Sequence, residues 1–310
     1  MLNDFRRERI NRLMLRRAPY RTAARLLFNA ALLVAATLVL IFGRRHPAAC
    51  IAAAVILGLL QTSFFEAMHW SVHQSLFESK ALNTAVGCVC GFISIWPFFH
   101  YSAFHLDHHR FAADSERDPE LLYGNLTELP DAAGRIMHVI KNGLMDPIRF
   151  ARLLLLLGCS RSPRHAMHWN PDSPLLASAI IEARVMLILY GGLAVCAAMA
   201  APSLFLYLGI ALWVHSASMS LFALPEHAGL QRFADLEISS IPVAFRQVKF
   251  TRCFLSDPFT RYLRWNENYH ATHHAFPSAP YYALGKISAE LLPDLPHVHE
   301  GYLRFHLFGE

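Results

Sequence analysis

The chain has 310 residues, 54% of them hydrophobic and only 16% charged, with a net charge of +5. Soluble domains carry about 25% charged residues, so this deficit points to a membrane protein, organised as one large domain or two ordinary ones. Six cysteines at 50, 88, 90, 159, 196 and 253 form no CxxC pair, which argues against a disulfide framework or a cysteine zinc site and leaves the thiols without assigned chemistry.

In chain order, eight arginines (Arg6, Arg7, Arg9, Arg12, Arg16, Arg17, Arg21 and Arg25) precede the first long apolar run. Beside an apolar span, such a segment reads as a juxtamembrane cytoplasmic arm rather than a nucleic-acid-binding tail. It is too long for the basic region of a signal peptide, and no clear small-residue cleavage site follows. Residues 26–43 form a first span near the ~20 residues required, and after the turn "RRHP" a second covers 48–67. Residues 83–99 are apolar but short and are interrupted by Gly87, Gly91 and Pro97, which predicts a surface-lying or re-entrant segment. The stretch 105–150 turns polar and reads as a membrane-adjacent region. "RLLLLLG" at 152–158 is too short to span, and "NPDSP" at 170–174 is a turn. Residues 185–200 and 203–224 form a second hairpin broken at Ala201 and Pro202, and beyond 230 the chain is mainly polar.

The predicted fold is therefore an all-α integral membrane protein with about four transmembrane helices in two hairpins and a helical cytoplasmic cap. It divides into a basic arm, 1–25, and a single membrane domain, 26–310. The arginine arm places both termini in the cytoplasm, although Arg44 and Arg45 in the short external turn run against the rule.

The chain's eighteen histidines are not scattered evenly. "HWSVH" sets His69 and His73 at i, i+4 just past the second span. "HLDHH" sets His105, His108 and His109 at i, i+3, i+4, and "HATHH" repeats that spacing with His270, His273 and His274. On a helix these spacings stack side chains on one face, and convergent neutral imidazoles are a metal-ligand set. Three unrelated surface patches would have to explain the same HxxHH spacing arising twice. A zinc protease needs HExxH, yet Trp70 follows His69. A structural zinc site closes with four ligands, so eight would be redundant. Eight imidazoles suit two ions with open positions, and imidazole favours iron, copper, nickel or zinc. Glu66-x-x-His69 and Glu267-x-x-His270 also trace the carboxylate pattern of soluble di-iron bundles. That design would leave six clustered histidines unemployed, so Glu66 and Glu267 are expected instead as partners that fix imidazole tautomers. For the three clusters to meet, the segment 83–99 must not cross the membrane.

The boxes HxxxH, HxxHH and HxxHH, in this order around paired spans, resemble the membrane fatty acid desaturase and hydroxylase superfamily. "HQSLF", "HHRFAADSERDPE", "LPEHAG" and "NYHATHHAFPSAPYYAL" extend the likeness over roughly residues 50–285. The resemblance implies a non-haem di-iron centre that uses O2 to remove hydrogen from an unactivated carbon, with the eight box histidines as ligands. It implies His227 as a further ligand and Asn268 as a group that orients the third box or holds a metal-bound water. Asp114, Glu116 and Asp118 are expected to support ligands or to cap helices. The function so implied is a fatty acyl or lipid desaturase; the alternatives are a hydroxylase or ketolase of a lipid or carotenoid with the same iron site, and, more remotely, a non-catalytic membrane metal-binding or transport protein. A transporter would place ligands within its spans near the midplane, whereas these boxes flank the spans. Electrons are expected from a separate ferredoxin- or cytochrome-like protein with its reductase, and nucleic acid is not an expected partner. His165 and His168 receive no role. His215, inside a span, is expected to bond a neighbouring helix, and Trp96, Phe98, Phe99 and Tyr101 are expected to form an interfacial belt.

Overall fold

The computed structural model describes residues 4–15, 18–122, 128–230 and 247–309. A short basic helix α1 (Asp4–Leu15) leads into α2 (Pro19–Phe42) and α3 (Pro47–Val72). Both long helices begin at a proline, whose missing N–H and fixed φ suit the first helical position. α4 (Lys80–Ser94) and α5 (Phe98–Phe111) follow, then a single turn α6 (Pro119–Leu122) and the long α7 (Ala132–Cys159). α8 (Leu176–Ala200) and α9 (Leu204–His227) complete the second hairpin. Four helices, α2, α3, α8 and α9, are long and apolar enough to cross a membrane. Their outer faces present side chains such as Leu27, Ile188 and Met199, which are 71, 74 and 83% exposed. Apolar surface on that scale needs hydrocarbon as its solvent.

The helices outrun the apolar runs that announce them. α8 begins at Leu176 rather than 185 because Glu182 and Arg184, which break the hydropathy, bond to neighbouring segments. Glu182 accepts the N–H groups of Phe98 and Phe99 at 2.8 and 2.9 Å, and Arg184 Nε donates to the Gly158 carbonyl at 3.0 Å. Those two amides open α5, where the first turn of a helix has no internal acceptors and favours a negative charge. Glu182 thus anchors the bend between α4 and α5, which measures 101°. Ile95 takes the left-handed conformation at the bend, with φ at 62°. Gly91 is needed there, because a Cβ would stand 2.5 Å from the Trp96 carbonyl oxygen.

α4 alone is about 22 Å long at the helical rise, short of a ~30 Å hydrocarbon core. The bent pair leaves the end of α3 and returns to it, as the contact of His73 with His105 at 2.8 Å records. The return also corrects the expected aromatic belt. Phe98 and Tyr101 are 3 and 5% exposed, packed inside with Trp96 and Phe99 against the same core.

α7 is a second correction. The stretch read as a polar, membrane-adjacent region plus a short apolar run contains one helix of 28 residues, capped by Asp131, whose side chain accepts from Gly134 N at 2.8 Å. Gly143 and Pro147 look like breaks in the sequence. Gly143 instead lies under Trp213 and Ala217 of α9, and Pro147 is accommodated inside the helix.

Beyond α9, β1 (Cys253–Leu255) pairs in parallel with β2 (Val298–Glu300), the only strands among the described residues. Short helices α10 (Pro258–Leu263), α11 (His270–Ala275), α12 (Leu284–Leu291) and α13 (Tyr302–Phe308) pack around them. This part is stitched to the long helices by buried hydrogen bonds. Trp265 Nε1 donates to Ser63 Oγ at 2.9 Å, Asn29 Nδ2 to the same oxygen at 3.0 Å, and the Tyr262 hydroxyl to Asn29 Oδ1 at 2.6 Å. α1 is held against α12 by Arg6–Asp294 at 2.8 Å and Arg9–Glu290 at 3.1 Å.

Candidate metal centre

α3 and α9 both end at the same pole, where α5 arrives and α11 closes the assembly. The last turn of α3 carries His69, and His73 caps it, so the first box belongs to the helix rather than lying beyond it. α5 presents His105, His108 and His109, α11 presents His270, His273 and His274, and α9 ends on His227. Segments separated by some two hundred residues thereby converge into two groups. His69, His73, His105, His109 and His273 form one, and His108, His227, His270 and His274 form the other. Within each, one ligand atom from every residue lies within 4.8 Å of all the rest.

The contacts run through Nε2. In the five-histidine group they are His69–His273 at 3.1 Å, His73–His105 at 2.8 Å, His105–His109 at 3.0 Å and His109–His273 at 2.9 Å. In the four-histidine group they are His227–His270 at 2.8 Å, His270–His274 at 3.1 Å and His108–His274 at 3.3 Å. Each Nδ1 of the four faces an acceptor: Asp118 Oδ1 at 2.9 Å for His108, the Phe250 carbonyl at 2.9 Å for His227, Glu267 Oε1 at 2.7 Å for His270, and Gln247 Oε1 at 2.9 Å for His274. A neutral imidazole has one N–H. If Nδ1 donates it outward, all four Nε2 atoms are bare lone pairs pointing at one another. Burial, reinforced by neighbouring imidazoles, holds His270, His273 and His274 well below the ordinary histidine pKa, which favours their neutral form, whereas Glu120 and Asp118 push His108 up to about 9, so that it would present a lone pair only on giving up its proton to a bound cation. Lone pairs packed this closely repel unless a cation lies between them, and the donor set therefore fits a metal ion in each group.

The expected supporting residues divide. Glu267 sits on His270, and Glu66 Oε2 lies 3.6 Å from His69 Nδ1. Asp118 holds His108, whereas Asp114 binds Arg117 Nε at 2.8 Å and, with Oδ1, the Glu116 and Arg117 amides, tightening the loop after α5. Glu116 is exposed in that loop. Asn268 donates to the Phe254 carbonyl at 2.7 Å, and its Oδ1 is buried without a partner among the described residues. His165 and His168 lie in and after the turn Pro163–Met167 and belong to neither group. His215 contacts Thr62 Oγ1 of α3 at 3.1 Å.

Three participants escape a reading of the sequence. Gln247 anchors His274 and also donates to the His109 carbonyl. Arg264 is buried between Glu66 and Glu226, and Glu226 further accepts from the Tyr302 hydroxyl at 2.9 Å. Glu226 adjoins His227 within "LPEHAG", and that adjacency was the one available signal.

A cavity of about 440 Å³ opens beside the groups, between α3, α5, α7 and α9. Its lining includes His69, His105 and His270 together with the apolar rings of Trp96, Phe104 and Phe150.

The fold and the paired histidine groups define a multi-helix membrane protein built around a histidine-rich site that could hold metal. The profile of the fatty acid desaturase family matches residues 45–306, and the chain belongs to that family. No curated protein matched the chain. Membership implies an iron-dependent oxidoreductase of the desaturase and hydroxylase type, associated with membranes and acting on lipid.

Proposed function

We propose that the chain is an O2-dependent di-iron desaturase that introduces a C=C bond into a fatty acyl or other lipid chain. Five and four imidazole lone pairs, gathered into two adjacent buried groups, carry this reading. His69, His73, His105, His109 and His273 would hold one iron, and His108, His227, His270 and His274 the other. When bound, the irons supply the redox chemistry that couples O2 reduction to removal of hydrogen from an unactivated carbon. The balance is one O2, two electrons and two protons, with two hydrogens leaving adjacent carbons and two waters formed; the electrons come from a separate ferredoxin- or cytochrome-like donor.

The chain's own residues hold and orient. Asp118, Glu267, Gln247 and the Phe250 carbonyl fix four imidazoles in the tautomer that presents Nε2 inward. Such partners raise ligand basicity and set ring direction. Arg264 keeps Glu66 and Glu226 in place beneath the site. The aromatic walls of the cavity exclude water and align one segment of an extended chain beside His69, His105 and His270. The basic arm supports a cytoplasmic position for this pole, with residues 26–310 read as a single membrane domain.

Mass spectrometry of lipids from cells expressing the chain and its His273→Ala variant tests the reaction. Acyl chains short of two hydrogens should accumulate only with the unaltered protein. Hydroxylated lipid in their place would make it a hydroxylase, and unchanged lipids with no iron in the purified protein would overturn the reading.

A further inference from the structure

The cavity lining falls into two chemically different parts, one around the histidines and one on α7. Around the histidines its lining cation is Arg264, already engaged by Glu66 and Glu226, with Glu120 and Glu267 close by. Among the described residues, no unpaired cation stands there to receive an anion. The part of the lining that α7 supplies is different, with His138, Asn142, Asp146 and Arg149 recurring along one face of the helix. Arg149 folds back along α7, pairing with Asp146 at 2.7 Å and reaching Asn142 Oδ1 at 3.2 Å. Lys141 lines the same rim and is exposed, and no carboxylate among the described residues pairs with it.

The outer face of α7 says what lies beyond the rim. Met137, Leu144 and Ile148 are 60, 60 and 62% exposed, in register with Lys141 at helical spacing. An amphipathic helix with an apolar outer stripe and basic residues along its border lies in the bilayer interface, where lysine and arginine reach the head-group level. This stripe is carried by a helix that packs directly on the apolar α8 and α9, so the rim faces lipid.

From these observations we infer that α7 is the substrate gate: the enzyme takes an acyl lipid with an anionic head group sideways from the bilayer, seats that head group on Lys141, and directs the tail along the apolar walls to the histidines. The inference rests on the desaturase reading for its purpose, but the binding it describes needs neither iron nor turnover. It separates this chain's substrate from a carotenoid or other uncharged hydrocarbon, which would have no use for the rim.

The test uses metal-free full-length protein in phosphatidylcholine nanodiscs, at a pH where the fatty acid is ionised. Electron paramagnetic resonance would measure the immobilised fraction of 12-doxyl-stearic acid and of its methyl ester. The acid should bind roughly tenfold more tightly than the ester, the scale of one charge-assisted hydrogen bond. Lys141→Gln should bring the acid down to the ester's affinity and leave the ester unchanged, while Lys141→Arg should retain the preference. Doxyl-labelled phosphatidylglycerol identifies the source: immobilisation sensitive to Lys141→Gln makes the head group a lipid phosphate, and immobilisation of the fatty acid alone makes it a carboxylate. Equal binding of acid and ester by the unaltered protein would overturn the inference. So would a Lys141→Gln variant, folded by circular dichroism, that keeps the full preference. Failure here with desaturated lipid still produced in cells would refute the gate and leave the proposed reaction standing.

Discussion

The two histidine groups lie side by side but are supported differently. Each of the four imidazoles at His108, His227, His270 and His274 hands its outer nitrogen to an acceptor: two carboxylates, one amide oxygen and one carbonyl. In the five-histidine group the Nδ1 atoms of His105, His109 and His273 are buried without a protein partner among the described residues, and Glu66 and Glu267 stand off His69 Nδ1 at 3.6 and 3.9 Å. The four-histidine group is thus oriented from behind by hydrogen bonds. The five-histidine group is oriented mainly by packing, ring against ring, as in the stacked pairs His69–Trp70 and Tyr101–His105. The difference teaches that imidazoles can be gathered either by outer hydrogen bonds or by ring packing.

That comparison can be broken by removing one ligand from each group. His270→Ala and His273→Ala should both abolish turnover, yet each should lower iron from about two to about one per chain, because the other group keeps its donors. Iron analysis of the purified variants decides this; loss of all iron from either would show that the groups fill as a single unit. A smaller effect sharpens the same point. Asp118→Asn should weaken iron retention or activity by ~10–100-fold, the usual consequence of altering an outer partner, and the loss should fall on the four-histidine group. Retention under a graded chelator challenge measures it, and an unchanged profile would deny Asp118 its role. Smallest of all, His168→Ala should leave iron and product within error of the unaltered protein, since His168 sits outside both groups; a drop in either would enlarge the site as drawn.

Much of this architecture is legible in the sequence because it depends on local periodicity. The i, i+3, i+4 spacing puts His105, His108 and His109 on one helix face wherever that helix is placed, and the apolar runs of α2, α3, α8 and α9 meet the bilayer's length requirement without any partner. What the hydropathy pattern hid were residues whose polarity is satisfied at a distance. Glu182 and Arg184 made α8 look nine residues shorter than it is. Gly143 and Pro147 made a continuous, packed α7 look like part of a polar, membrane-adjacent region. The spacing of acids after the second box did not distinguish Asp114 from Asp118. The loop does, by turning through Ala113 at a φ of 66° so that Asp118 faces His108 and Asp114 faces Arg117.

By itself, then, the chain's chemistry determined the mainly helical membrane fold with its four long apolar helices, and which histidines point together on each segment. These follow from helix geometry and the cost of unpaired backbone in hydrocarbon. Only the tertiary structure decided how nine imidazoles divide into five and four, that Gln247, Glu226 and Arg264 stand behind them, and that α7 closes one wall of the cavity. Those outcomes depend on where distant segments meet in space, and a contact between residues 109 and 273 leaves no periodic mark on the sequence of either.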